Sequence, residues 1–128
     1  MPTSGGEEPA DEWVARTCAV VEHFYAGGRS TLDLLTAASP HLADPDFEAR
    51  LADHLQRAPD LVEAWQTYSY DQRGTPCPYF DGPEAGFFDG ERCNVRVHTD
   101  VAKACADFIH RLAAWVLDER IVHGPAET

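Results

Sequence analysis

Basic side chains are scarce in this chain. One lysine, Lys103, and nine arginines stand against 22 aspartates and glutamates, leaving a formal net charge of −12 over 128 residues. Such a balance repels phosphate backbones and anionic lipid, so neither nucleic acid nor membrane is an expected partner. Long hydrophobic runs are missing too. None approaches the roughly 18–20 apolar residues of a membrane-spanning helix. Residues 1–12 show neither the basic start nor the apolar stretch of a signal peptide. The expected location is therefore cytoplasmic, where Cys18, Cys77, Cys93 and Cys105 would stay reduced. The preference for arginine over lysine, with abundant alanine, is a coding bias of GC-rich bacterial genomes and carries no function.

The motifs of familiar chemistry are also missing. There is no phosphate-binding loop, no G-x-G-x-x-G and no G-x-S-x-G elbow. The metal-ligand types Cys77, Cys93, His98, Cys105 and His110 contain no C-x2-C or H-x3-H pair, so neither metal nor cofactor is expected. Cys18 and Cys105 fall on apolar helical stripes and read as core residues, while His98 and His110 read as solvent-facing. Cys77, between Pro76 and Pro78, is the only cysteine whose setting suggests exposure. A reactive thiol needs a base or cation beside it, and nothing in the sequence brings Arg73 or His98 there. Asp44/Asp46 and Asp118/Glu119 read as a helix cap and a solvated face.

What is present is mostly helical periodicity. Trp13, Thr17, Val20 and Phe24 recur at helical spacing, with Val14, Cys18, Val21 and Tyr25 beside them, up to Gly27-Gly28. Ser30 and Asp33 resemble a capping box before Leu32, Leu34 and Leu35, in a short helix that runs to Pro40. Asp44 as N-cap with Pro45 at the first helical position would open a helix carrying Phe47, Leu51 and Leu55. Pro59 opens the next, with Leu61, Val62, Trp65 and Tyr68, until Gly74, Pro76 and Pro78 end it. The Asp89-Gly90 turn predicts one small β-hairpin over about 86–97, with Cys93, Val95 and Val97 facing the core and Asn94, Arg96 and His98 facing out. Thr99 then caps a long helix with Val101, Cys105, Phe108, Leu112 and Trp115 on its stripe, closed by Gly124-Pro125. The expected fold is mostly α: four to five helices around a long C-terminal helix, with that hairpin before it. The expected domains are a disordered acidic leader at 1–9, one helical domain at 10–123 and a frayed tail at 124–128.

Seven of the thirteen aromatics lie between Trp65 and Phe88, interleaved with Asp71, Arg73, Asp81, Glu84 and Asp89. Tyrosine, tryptophan and arginine are the anchors of protein interfaces. The chain therefore reads as a small acidic protein-binding module rather than an enzyme, an inhibitor of the immunity or antitoxin type acting on a basic protein. Its binding residues would be Tyr68, Tyr70, Asp71, Arg73, Tyr79, Phe80, Asp81 and Phe88. The same segment could line a small-molecule pocket against the last helix, with Tyr68, Asp71, Arg73, Tyr79 and Asp81 orienting a polar substrate in a binding protein or small enzyme. The protein would be a monomer or homodimer, and Trp13 or Trp115 would serve a homodimer if either were exposed.

Overall fold

A computed structural model describes residues 9–25, 34–72 and 77–122. Arg73, the Gly27-Gly28 stop, the Ser30–Asp33 cap, Gly74, Pro76, Gly124-Pro125, leader residues 1–8 and the tail lie outside the described residues, as do the side chains of Phe24, Tyr25, Asp118 and Glu119.

Helix α1 (Ala10–Cys18) carries Asp11 and Glu12 in its first turn, where their charge complements the helix dipole, and buries Trp13, Val14, Thr17 and Cys18. The helical stripe seen in the sequence breaks at Ala19, and α2 (Val20–Tyr25) follows. At this break the Trp65 indole N–H donates to the Cys18 carbonyl at 2.8 Å, satisfying a helix-end acceptor from outside the helix. A short 3-10 turn (Thr36–His41) contains Pro40. Helix α3 (Phe47–Gln56) begins later than expected. Asp44 Oδ1 accepts the Asp46 N–H at 2.9 Å and Asp44 Oδ2 accepts Arg50 Nε at 2.9 Å, so Asp44 closes a local turn and Asp46 takes the N-cap position. Helix α4 (Pro59–Asp71) opens on Pro59 as the sequence predicts.

The mostly α fold with a single hairpin is corrected here. Three strands, β1 (Cys77–Asp81), β2 (Glu84–Phe88) and β3 (Arg92–Val97), form an antiparallel sheet in the order β1-β2-β3. The predicted hairpin is the second of two. The first turns at Gly82, whose φ of 59° is left-handed. Strand β1 is masked in the sequence by Pro78, which normally argues against a strand. It is tolerated because β1 is an edge strand, and helix α4 closes that edge with side chains. Ser69 Oγ donates to the Phe80 carbonyl and accepts the Phe80 N–H, both at 3.1 Å; Gln66 Oε1 accepts the Gly82 N–H at 2.9 Å; and Gln72 Nε2 donates to the Pro78 carbonyl at 2.7 Å.

The facing of β3 is corrected as well. Cys93, Val95 and Val97 are exposed, whereas Arg96 and His98 reach the last helix. Asn94, at φ 53°, forms a bulge: Phe87 pairs with Cys93 but Ala85 pairs with Arg96, so one extra residue in β3 inverts the alternation beyond it, turning Val95 and Val97 outward, while Cys93 stays on the Phe87 side of the sheet and is nonetheless exposed. Pro78, Phe80, Ala85, Phe87 and Arg96 consequently share the inner face, and Tyr79, Asp81, Glu84, Phe88 and Arg92 the outer one.

Helix α5 (Val101–Val122) packs on α3, α4 and the inner sheet face. Its cap is Asp100, whose Oδ1 accepts the Lys103 N–H at 2.9 Å, in place of Thr99. Ala102, Ala104, Cys105, Phe108, Ile109 and Leu112 are all buried, although Val101 at its start is exposed. Phe108 meets Trp65, Tyr68 and Phe80 at ring-centroid distances of 5.2–6.4 Å, the aromatic centre of the core.

Candidate functional site

The outer sheet face gathers part of the aromatic and acidic segment. Tyr70 Oη donates to Asp81 Oδ1 at 2.8 Å, and Tyr79 Oη donates to Glu84 Oε2. Arg92 bridges the two acids, donating to Glu84 at 2.9 Å and Asp81 at 3.2 Å with its guanidinium 4.9 Å above the Tyr79 ring centre. Hydrogen bonds from Tyr70 and Arg92 hold the Asp81 carboxyl below its ordinary value. Burial first, then Glu84, pushes the Tyr79 hydroxyl up to about 12, and Asp81 raises Tyr70. Both phenols are therefore fixed donors at neutral pH. Around this cluster Tyr70 is 65% exposed, Phe88 37%, Val95 43% and Val97 73%.

Of the eight predicted binding residues, the fold brings Tyr70, Tyr79 and Asp81 together and places Phe88 on the same sheet face. Tyr68 and Phe80 belong to the core, so neither is available to a partner. Asp71 is exposed at the end of α4, and Arg73 lies outside the described residues. Trp13 is buried, stacked 4.3 Å from the ring of His41, which removes it as a dimer contact; Trp115 is half-buried. The exposed cysteine is Cys93 rather than Cys77, which is half-buried at the start of β1, and burial raises the Cys77 thiol, which does not favour a nucleophile. Among the described residues no group of three or more His, Cys, Asp or Glu could hold a metal ion. No described helix is long and apolar enough to cross a membrane.

A second constellation, on the opposite face of the sheet, centres on Asp107, which is buried within α5. His98 Nε2 lies 2.8 Å from Asp107 Oδ2, Arg111 Nε donates to Oδ1 at 2.7 Å, and Arg96 stands 3.6 Å away. Burial on its own would raise this carboxyl. The hydrogen bonds from Arg111 and His98, with the charge of Arg96, outweigh that and hold it low. Glu48, on α3, sits 3.2 Å from His110 Nδ1 and 3.5 Å from Arg96, and the hydrogen bond with His110 lowers its carboxyl too. The expectation that His98 and His110 merely face solvent is thus corrected: each is paired with a carboxylate across elements. Two open clefts, of about 400 and 440 Å³, meet at Glu48 and Arg96. One runs past His98 and Lys103; the other runs past Phe87, Arg111 and Trp115.

Sequence reading missed Glu48, Arg96, Asp107 and Arg111. One signal was available: Asp107 and Arg111, four residues apart and interleaved with the apolar stripe residues Phe108 and Leu112, form the spacing of an intrahelical ion pair beside positions that the pattern buries. Compared with protein-family models, curated proteins and solved structures, the chain matches none.

Proposed function

We propose that this is a small cytosolic protein-binding module, of the immunity or antitoxin type, that captures a basic protein on the outer face of its sheet. The observation that carries the reading is the cluster of Asp81 and Glu84, oriented by Tyr70 and Tyr79 and bridged by Arg92. Arg92 occupies these two carboxylates as an arginine of the partner would, and it is itself half-exposed, so a partner's guanidinium can approach the same oxygens. The neighbouring Tyr70, Phe88 and Val97 supply apolar contact at the rim. A net charge of −12 steers a basic partner toward the module and slows its escape at low salt. Docking uses this face rather than the open edge of β3, because the Asn94 bulge interrupts the ladder that an added strand would need.

The test is capture from the source lysate by the tagged protein, beside Tyr70→Ala and Val97→Asp variants. A basic protein held at low salt, released at high salt and lost from both variants is the expected result. Equal recovery by wild type and variants, or recovery of the bait alone, would refute the proposal.

A further inference from the structure

The groove between α3, β3 and α5 carries an imbalance. Its acids are engaged: both Asp107 oxygens accept hydrogen bonds, from Arg111 and His98, and Glu48 accepts from His110 and Arg96. Its donors are not. Among the described residues Arg96 makes only two long contacts, at 3.5 and 3.6 Å and both through Nη1, so its Nε and Nη2 edge is uncommitted. Arg111 bonds Asp107 through Nε and Nη2 with its guanidinium 5.7 Å from the Phe87 ring centre, and among the described residues its Nη1 takes no hydrogen-bond acceptor although the side chain is 13% exposed. His110 uses Nδ1 on Glu48, leaving Nε2. All three border the 440 Å³ cleft, whose remaining walls are the apolar Phe87, Ala114 and Trp115 and the two carboxylates Glu48 and Asp107, both already paired with these donors.

From this we infer that the cleft is a binding site for a small planar aromatic carboxylate. The carboxylate takes the Nε–Nη2 edge of Arg96, the side-on fork that matches two carboxylate oxygens, with Arg111 Nη1 as a further donor. The aromatic ring lies against the Trp115 indole. Phosphate would satisfy the donors but leave the apolar walls wet, and an uncharged aromatic would fill the walls but leave the guanidinium groups unanswered. The cleft lies on the inner side of the sheet, so this site is independent of the docking face proposed above. It is also where the alternative pocket was expected, between the last helix and segment 65–98, but built from other residues: of those earlier named for it, Tyr68, Asp71, Tyr79 and Asp81 do not line it.

Benzoate is a suitable probe, followed by calorimetry and by tryptophan emission, since Trp13 and Trp65 are buried and Trp115 borders the cleft. Saturable benzoate binding with a Kd of about 1 mM or tighter is expected. Benzyl alcohol and inorganic phosphate should each bind at least about tenfold more weakly. Arg96→Gln, at a position 58% exposed, should fold as wild type does and weaken benzoate by about tenfold or more, while Arg57→Gln leaves it unchanged. Trp115→Phe should remove the emission change and keep the heat. No saturable binding, equal binding of benzyl alcohol or phosphate, or an Arg96→Gln titration identical to wild type would each overturn the inference.

Discussion

Asp107 shows how much one side chain can hold. Its carboxylate ties Arg111 on its own helix to His98 beyond β3, in a setting where an unmatched charge is costly. Asp107→Asn keeps the shape but leaves Arg111 without its counter-charge, and a loss of about 3–5 kcal/mol in urea unfolding is expected. The pH dependence follows from the same contacts. Because the folded carboxyl titrates below its ordinary 3.8, the unfolded chain takes up its proton first as the pH falls. The stabilisation is complete above about pH 5 and fades as the pH drops through the depressed folded value. Glu48, lowered beside it, acts in the same direction. Unfolding midpoints between pH 7 and pH 3 should therefore converge for wild type and Asp107→Asn toward the acid end; a constant gap across that range would contradict the role given to Asp107.

At the level of elements, helices were read from spacing because their buried stripes repeat every three or four residues, as Phe47, Leu51 and Leu55 do in α3. The sheet was only half visible. Asp89-Gly90 marked the second hairpin through its turn chemistry, but Pro78 hid β1, and what makes that strand possible is hydrogen bonding from Gln66, Ser69 and Gln72 of a distant helix. No local pattern encodes such support. The facing of β3 was inverted for a related reason, since a bulge at Asn94 is not written in hydrophobic alternation. Of the candidate site, Tyr70, Tyr79 and Asp81 were found by composition, whereas Arg92 and Glu84 gained their roles only from strand register. Two substitutions test the observed register. A Cβ on Gly86 would stand 2.9 Å from the Cys93 carbonyl and 3.0 Å from the Tyr79 ring, so Gly86→Ala should cost about 1–3 kcal/mol in thermal or urea unfolding. Val97→Ala, at a site that alternation had assigned to the core, should change stability by less than about 0.5 kcal/mol.

For the molecule as a whole, net charge is the electrostatic feature that acts everywhere at once. Individual surface pairs such as Arg57 with Asp53 are solvated at both ends and contribute little, while a net charge of −12 repels itself throughout. Raising ionic strength from about 0.01 to 0.15 M shortens the screening length from about 30 to 8 Å, so Tm should rise over that range in calorimetry. A flat or falling Tm would mean that attractive pairs outweigh the repulsion. The sheet also gives the domain a direction. One side is sewn to α4, where the Phe80 and Gly82 amides donate to helix side chains; the other ends on β3, every residue of which is exposed. In heavy water, deuterium should therefore enter from the β3 margin through fraying that leaves the rest intact, and reach the Phe80 and Gly82 amides only when the whole domain opens.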